Sequence, residues 1–102
     1  MNDRIDSKTL KELKDIAPEF VQYSEDILFG KVWSDPTLTL KERSLCTLAS
    51  LISIGNTEQL PFHIQLAKKN GMNETQIISL VTHLAFYVGW PKAAAAFNVI
   101  KA

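Results

Sequence analysis

The apolar residues of this chain recur at three- and four-residue spacing in successive segments, and glycine or proline separates one segment from the next. The pattern is clearest between Thr39 and Gly55. There the apolar positions at helical spacing are Leu45, Leu48, Leu51 and Ile52. No segment shows the strict apolar–polar alternation that is typical of a half-buried strand. The sequence therefore predicts an all-α fold.

Six helices are predicted, and two of them begin at recognisable capping signals. Thr39 and Glu42 are spaced as a capping box at the start of the third helix, and Asn73 and Gln76 have the same spacing at the start of the fifth. The remaining predicted segments run from Asp6 or Ser7 to just before Pro18, from Pro18 to about Lys31, from near Thr57 to Gly71, and from Pro91 to the last residues.

These helices are expected to form one compact bundle. A length of 102 residues, with no low-complexity linker and no internal repeat, favours a single domain over residues 1–102. The short connection at Gly71 predicts that the fourth and fifth helices form a central αα-hairpin. Pro61 falls in the first turn of the fourth helix or just beyond it, where a missing N–H group is tolerated.

The charge balance excludes several classes of partner. The chain has 11 Lys plus Arg and 11 Asp plus Glu, so its formal net charge is zero. Nucleic-acid binding needs a basic surface, which this composition does not predict. The stretch MNDRIDSKTL lacks the apolar core of a signal peptide, and no apolar run approaches the ~20 residues that span a bilayer. We therefore expect a cytoplasmic protein with no nucleic-acid or membrane partner.

Cysteine and histidine usage argues against disulfide and metal chemistry. Cys46 is the one cysteine, so an intramolecular disulfide and a multi-cysteine zinc site are excluded. Its position between Leu45 and Leu48 is interpreted as that of a small buried apolar side chain. The two histidines lack a neighbouring cluster of acidic residues or cysteines, so we predict no metal site and no cofactor.

Three stretches of the chain carry a family resemblance. They are FGKVWSDPTLTLKERSLCTLASL from Phe29, LPFHIQLAKKNGMNETQI from Leu60, and THLAFYVGWPKAAAAF from Thr82. In order and spacing these stretches resemble the carboxymuconolactone decarboxylase family over roughly 70 residues, and HLAFYVGWPKA is the most specific part. The resemblance implies an alkylhydroperoxidase-like all-α fold. It also implies a ring-shaped homo-oligomer, commonly a hexamer built as a trimer of dimers.

The same resemblance separates two chemistries within the family. The thiol-peroxidase branch uses a C-x-x-C-x-x-x-H pattern and a glutamate nineteen residues before the histidine. His63 matches that histidine, but Asn56 and Gln59 occupy the cysteine positions and Ser44 occupies the glutamate position. A dithiol enzyme requires its cysteine pair, so peroxidase activity is not expected. The decarboxylase branch also lacks the pair, and Trp33 lies in a loop like the one found there.

His63 is the candidate catalytic residue. Decarboxylation of a carboxymuconolactone needs a proton delivered to carbon, and an imidazole that titrates near ambient pH is suited to that transfer. The alternative interpretation places His63 at the edge of the core as an ordinary helix residue.

Four further residues are candidates for substrate binding: Arg43, His83, Lys92 and Trp33. An arginine or lysine can hold a carboxylate. His83 shares a helix face with Tyr87 four residues later, and Trp33 can line a pocket wall. Each also has a structural interpretation: Arg43 and Lys92 as solvated residues of a first helical turn, and His83 as a core or interface histidine. Tyr87 and Trp90 are interpreted as interface or core residues.

The functional hypothesis is a cofactor-independent, decarboxylase-like carbon–carbon lyase acting on a small carboxylated lactone or related acid. His63 would be its general acid/base. The alternative is a non-catalytic, oligomeric binding or structural member of the family. Ser44 in place of glutamate, and an N-terminus shorter than that of the decarboxylases, favour the alternative.

Overall fold

The computed structural model describes residues 7–101, and the chain divides into two compact units, residues 1–40 and 41–102. The helices are α1 Ser7–Ile16, α2 Pro18–Tyr23, a π-helix Ser24–Val32, α3 Leu40–Ile54, α4 Leu60–Lys69, α5 Glu74–Val88 and α6 Trp90–Lys101. No strand occurs within residues 7–101, so the all-α prediction is confirmed. None of the helices in that range is long and apolar enough to cross a membrane.

In the first unit α1 packs against α2, and one apolar residue from each, Leu10 and Val21, is buried. The prediction of one α-helix from Pro18 to about Lys31 is wrong, because α2 ends at Tyr23 and the chain continues as a π-helix. The wider winding is visible at its end, where the Trp33 N–H donates to the Leu28 carbonyl oxygen, five residues back, at 2.8 Å.

Gly30 explains how the chain accommodates the π-helix. A Cβ atom at this position would lie only 2.8 Å from the carbonyl oxygen of Glu25, which is also five residues back. Real Cβ atoms essentially never approach backbone oxygen that closely, and backbone cannot rotate away as a flexible side chain can. The absence of a side chain at Gly30 therefore permits this winding.

The second unit is built around one apolar core to which four helices contribute. The large side chains that are fully buried are Leu48 from α3, Leu60 from α4, and Ile77 and Val81 from α5. The α6 helix contributes the small residues Ala93 and Ala96, each 1% exposed. Small side chains let helices approach closely, and α5 and α6 make the most extensive helix–helix contact of the unit.

The ends of α4 and α5 follow local sequence signals. Asn73 and Gln76 form the predicted capping box, with the Gln76 N–H donating to Asn73 Oδ1 at 2.8 Å and the Asn73 N–H donating to Gln76 Oε1 at 3.0 Å. Pro61 lies in the first turn of α4, as predicted. However, α4 begins at Leu60 rather than near Thr57.

Only one face of α3 is buried. Its buried residues Ser44, Leu48 and Ile52 form a single stripe at four-residue spacing. Leu45 is 42% exposed, and Cys46 is exposed. The interpretation of Cys46 as buried is therefore wrong. Leu51 is partly buried against the core, whereas Leu40, Leu45 and Ile54 are exposed on the surface of the chain.

Candidate functional site

His63 lies one turn into α4 and is half-buried. Its ring meets the Phe62 ring edge-on, with 5.2 Å between centroids and 90° between planes. Burial lowers the pKa of His63 below its ordinary value of 6.5, because the charged imidazolium loses hydration. The imidazole is therefore predominantly neutral at pH 7.

The face of α4 that carries His63 is directed towards α3. Ala67, one turn further along, is fully buried, and Asn70 follows at the same angular position another turn on. The Asn70 side-chain amide donates to the hydroxyl oxygen of Ser44 at 2.9 Å. Ser44 belongs to the first turns of α3 and is 2% exposed. The hydrogen bond fixes the end of α4 against the beginning of α3.

The short connection from Ile54 to Leu60 joins the end of α3 to the beginning of α4, and the Asn70–Ser44 hydrogen bond joins their other ends, so the two helices run in opposite directions. Gly71, just after α4, lies beside Lys41, near the start of α3, so a second contact joins the same two helix ends. With a rise of 1.5 Å per residue, His63 lies about 10 Å along α4 from Asn70, and Gly55 lies about 16 Å along α3 from Ser44. Along the helix axes, His63 is therefore about 6 Å from the level of Gly55.

In this register of α3 and α4, the two candidate cations, Arg43 and Lys92, lie at different levels along the helix axes. The Cε atom of Lys92 lies 4.0 Å from the position that a Cβ would take at Gly55, so Lys92 reaches the end of α3. Arg43 precedes Ser44 and lies about 12 Å from the level of His63 along the axes. The two cations consequently occupy opposite ends of α3, and Lys92 is closer to the level of His63.

Arg43 is only partly exposed in the first turns of α3. Its side chain is half-buried, and its Nε atom is inaccessible to solvent. Its carbonyl oxygen accepts a hydrogen bond of 3.0 Å from the Thr47 hydroxyl. Arg43 is therefore less solvated than its interpretation as a first-turn residue predicts. Lys92, in contrast, is exposed in the first turn of α6.

The other two predicted binding residues are not brought to His63 by any described contact. His83 is exposed on α5, where its ring packs on Tyr87 with 4.9 Å between centroids. Trp33 belongs to the first unit, is half-buried and stacks on Phe29 at 5.9 Å. Both contacts are local along the chain.

Asn56 and Gln59, the residues that stand at the cysteine positions of the thiol branch, form the turn before α4. The Gln59 N–H donates to Asn56 Oδ1 at 3.3 Å, and the Gln59 carbonyl oxygen accepts from the His63 N–H at 3.3 Å. These residues shape the entry to α4, and neither has a redox-active sulfur. Within residues 7–101 no group of three or more His, Cys, Asp or Glu side chains is arranged to hold a metal ion.

A surface groove of about 750 Å³ lies between α4 and α6, and His63 is not among its lining residues. Ile64 and Lys68 line it from α4, and Ala95 and Val99 line it from α6. On a helical wheel these α4 positions point roughly 100–140° away from His63. The groove and His63 therefore lie on different sides of α4.

The sequence identified His63 but missed Asn70. The available signal was its position seven residues after His63, immediately before the helix-ending Gly71. Seven residues are close to two full helical turns, so both side chains had to share a face. The hydrogen-bond partner Ser44 was noted only as a departure from the family pattern.

The comparisons with known proteins agree with this architecture. Residues 18–102 match the model of the carboxymuconolactone decarboxylase family. The chain belongs to that family. The family prediction made from the sequence is thereby confirmed, and the match begins earlier than the stretches from which the resemblance was recognised.

Two relatives carry names that describe an activity. The chain is 30% identical over 95 residues to a 4-carboxymuconolactone decarboxylase of Acinetobacter baylyi, covering 93% of this chain and 71% of that protein. It is 38% identical over 73 residues to a nitrosuccinic acid decarboxylase of Metarhizium robertsii, covering 72% of this chain and 51% of that protein. The chain thus spans about half the length of the second relative.

Proposed function

We propose that this protein is a cofactor-independent decarboxylase that removes CO₂ from a small carboxylated lactone or a related acid. The observation that carries the proposal is the half-buried His63 at the beginning of α4, in a chain whose two named relatives are both decarboxylases. The names of those relatives describe one lactone acid and one nitro-substituted acid. Both reactions leave an electron pair that an adjoining carbonyl or nitro group can delocalise.

The reaction requires one proton for each CO₂ released. The bond between the carboxylate carbon and the substrate skeleton breaks, and CO₂ departs without the bonding electron pair. That pair remains on the substrate as an enolate-type or nitronate-type anion, and a proton is then added to carbon. His63 is the general acid that delivers this proton, and its imidazole takes up a new proton from solvent when the next substrate binds.

The environment of His63 suits a proton donor that is charged only when substrate is present. Burial lowers its pKa, so the free protein holds it mainly neutral at pH 7. A substrate carboxylate nearby acts in the opposite direction, because an opposite charge favours the imidazolium. Substrate binding therefore promotes uptake of the proton that the reaction consumes.

Lys92 is the better candidate for holding a substrate carboxylate. It reaches the end of α3 beside Gly55, on the side of the unit where α4 begins. Arg43 lies near the other end of α3. His83 and Trp33 stay proposals as additional substrate contacts.

The protein is also proposed to act as a homo-oligomer, with the hexamer implied by the family resemblance as the expected assembly. Large apolar side chains are highly exposed in the single chain: Ile54 72%, Phe86 86%, Tyr87 76% and Trp90 77%. Exposed apolar clusters of this kind mark interaction sites on soluble proteins. Gly55 adjoins Lys92, and Gly89 joins α5 to α6, so these four residues belong to neighbouring helix ends.

A non-catalytic oligomeric module is the second candidate. It is favoured by the position of His63, which contacts Phe62 and does not line the α4–α6 groove. In that case His63 would be an edge-of-core residue, and the exposed aromatic residues would be the functional feature of the chain.

Measurement of CO₂ release separates these candidates. The purified protein is supplied with 4-carboxymuconolactone and with nitrosuccinate, and each product is identified by mass spectrometry. Release from either acid above the uncatalysed rate, abolished in a His63→Gln variant that keeps the oligomeric state of the parent protein, supports the decarboxylase. If neither acid is decarboxylated while the protein forms a defined oligomer, the non-catalytic module is favoured.

A further inference from the structure

The groove between α4 and α6 is a feature that the decarboxylase chemistry does not use. Its volume of about 750 Å³ lies in the range of small-molecule sites, ~300–1,000 Å³. It is lined by Thr57, Pro61, Ile64, Gln65, Lys68, Ala95, Asn98, Val99 and Ile100. Helical spacing brings the α4 and α6 residues of this set to two facing helix surfaces.

The lining combines apolar walls with a single ionic group. Pro61 and Ile64 form the wall on α4, and Val99 and Ile100 form the wall on α6. Lys68 is the one ionisable side chain in the lining, and no carboxylate lines the groove. The groove thus combines apolar contact area with a positive charge near the end of α4.

Two amides and a hydroxyl complete the polar side of the groove. Gln65 and Asn98 each carry an NH₂ donor on an exposed side chain, and Thr57 adds a hydroxyl. Ala95 lies on the α6 side with only a methyl group, which leaves room that a larger residue would fill. Hydrogen-bond donors and a lysine beside an apolar wall are suited to a ligand that has an anionic head group and an apolar body.

We propose that this groove binds a small amphipathic organic carboxylate, with Lys68 contacting the carboxylate and the Ile64–Val99 walls contacting the apolar body. The site is separate from the proposed decarboxylation site, because His63 points to another side of α4. Its occupant is a binding ligand that undergoes no chemistry there.

Methyl NMR on the intact protein tests the proposal with hexanoate as the probe. The methyl groups of Ile64, Val99 and Ile100 report from the groove, and Ile77 reports from the core of the same unit. Hexan-1-ol has the same apolar body without charge, and hexylammonium carries the opposite charge. The expected result is a saturable shift of the three groove methyl signals with hexanoate, and weaker binding of the alcohol and the amine.

Variants of the groove define the contribution of each part. Lys68→Gln is expected to weaken hexanoate binding by roughly three- to fivefold, as removal of a solvent-accessible charge contact does. Lys69→Gln, the neighbouring lysine outside the lining, is the matched control and is expected to leave binding unchanged. Ala95→Leu is expected to abolish binding by filling the groove, and the Ile77 methyl signal reports whether that variant is folded.

Several results would overturn the proposal. Groove methyl signals that do not respond to hexanoate exclude the site, whatever the outcome of the CO₂ assay. Equal affinity for hexanoate and hexan-1-ol excludes recognition of the carboxylate. Shifts that depend on protein concentration rather than on ligand identify a second copy of the chain as the occupant.

Discussion

Asn70, at the end of α4, donates a hydrogen bond of 2.9 Å to the hydroxyl oxygen of Ser44 in the first turns of α3. Ser44 is the one buried polar residue among those that the structure describes. The pair fixes the antiparallel register of α3 and α4, and in that register the level of His63 along the helix axes is closer to the end of α3 that Lys92 reaches than to Arg43. A position that carries glutamate in the thiol branch of the family thus has a structural role here.

Loss of this hydrogen bond is expected to destabilise the fold. Asn70→Ala leaves the buried Ser44 hydroxyl without its amide donor, so the free energy of unfolding should fall by about 1–2 kcal/mol. Urea denaturation at fixed protein concentration measures the change. Asn98→Ala, on the exposed surface of α6, is the control and should change stability by less than about 0.5 kcal/mol.

A double-mutant cycle with Ser44→Ala isolates the pair. The double variant should be less destabilised than the sum of the two single variants, because each single variant already breaks the same bond. Strict additivity would show that the two side chains are not coupled and that their hydrogen bond does not fix the register of α3 and α4.

Gly30→Ala tests the π-helix. The added Cβ would lie 2.8 Å from the Glu25 carbonyl oxygen, so the backbone must shift. We expect a loss of about 1–3 kcal/mol in unfolding free energy, comparable to an overpacked core. The neighbouring exposed Lys31→Ala should be nearly neutral. A Gly30→Ala protein as stable as the parent would mean that the chain does not need glycine for this winding.

His63 should make stability depend on pH in a defined direction. Its pKa is 6.5 when unfolded and lower when folded, so the unfolded chain takes up the proton first as pH falls. The stability that depends on a neutral His63 is fully present above pH 6.5. It declines as pH drops below 6.5 and is lost below the pKa of His63 in the folded protein. Urea unfolding at pH 7.5 and pH 5 measures it.

The matched variants for this pH effect are His63→Gln and His83→Gln, since the chain has two histidines. His63→Gln should reduce the loss of stability between the two pH values, whereas His83→Gln should retain it. An unchanged loss in His63→Gln would indicate that burial in solution does not affect this imidazole.

The helix register predicts different kinetic effects for the two cations. Lys92→Gln should raise KM for a decarboxylated acid by roughly tenfold, because it removes a charge-assisted contact to carboxylate. Arg43→Gln should change KM less, since Arg43 lies about 12 Å from the level of His63 along the axes. Steady-state kinetics measures KM for both variants. A larger increase in KM for Arg43→Gln than for Lys92→Gln would assign the carboxylate contact to Arg43 instead.

Local signals predicted the fold well wherever they act within one helix. The Asn73–Gln76 capping box and Pro61 in a first turn follow from spacing and residue type alone. Spacing also placed His63 on α4. These features depend on neighbours within two turns, which a single sequence specifies directly.

Features that depend on tertiary neighbours were not predicted. Cys46 has the sequence context of a core residue but lies on the exposed side of α3, because burial depends on which stripe meets the other helices. The Asn70–Ser44 bond joins positions 26 residues apart. The π-helix depends on backbone contacts around Gly30, and the periodicity of apolar residues does not predict such contacts.

The rate of CO₂ release by the parent protein and by His63→Gln tests whether His63 donates the proton. The substrate is 4-carboxymuconolactone or nitrosuccinate, whichever the parent protein decarboxylates, and both proteins are compared at equal oligomeric state. We expect kcat to fall by roughly 10²–10⁴-fold in His63→Gln, which is the usual contribution of general acid catalysis. Decarboxylation by His63→Gln at the parent rate would contradict it.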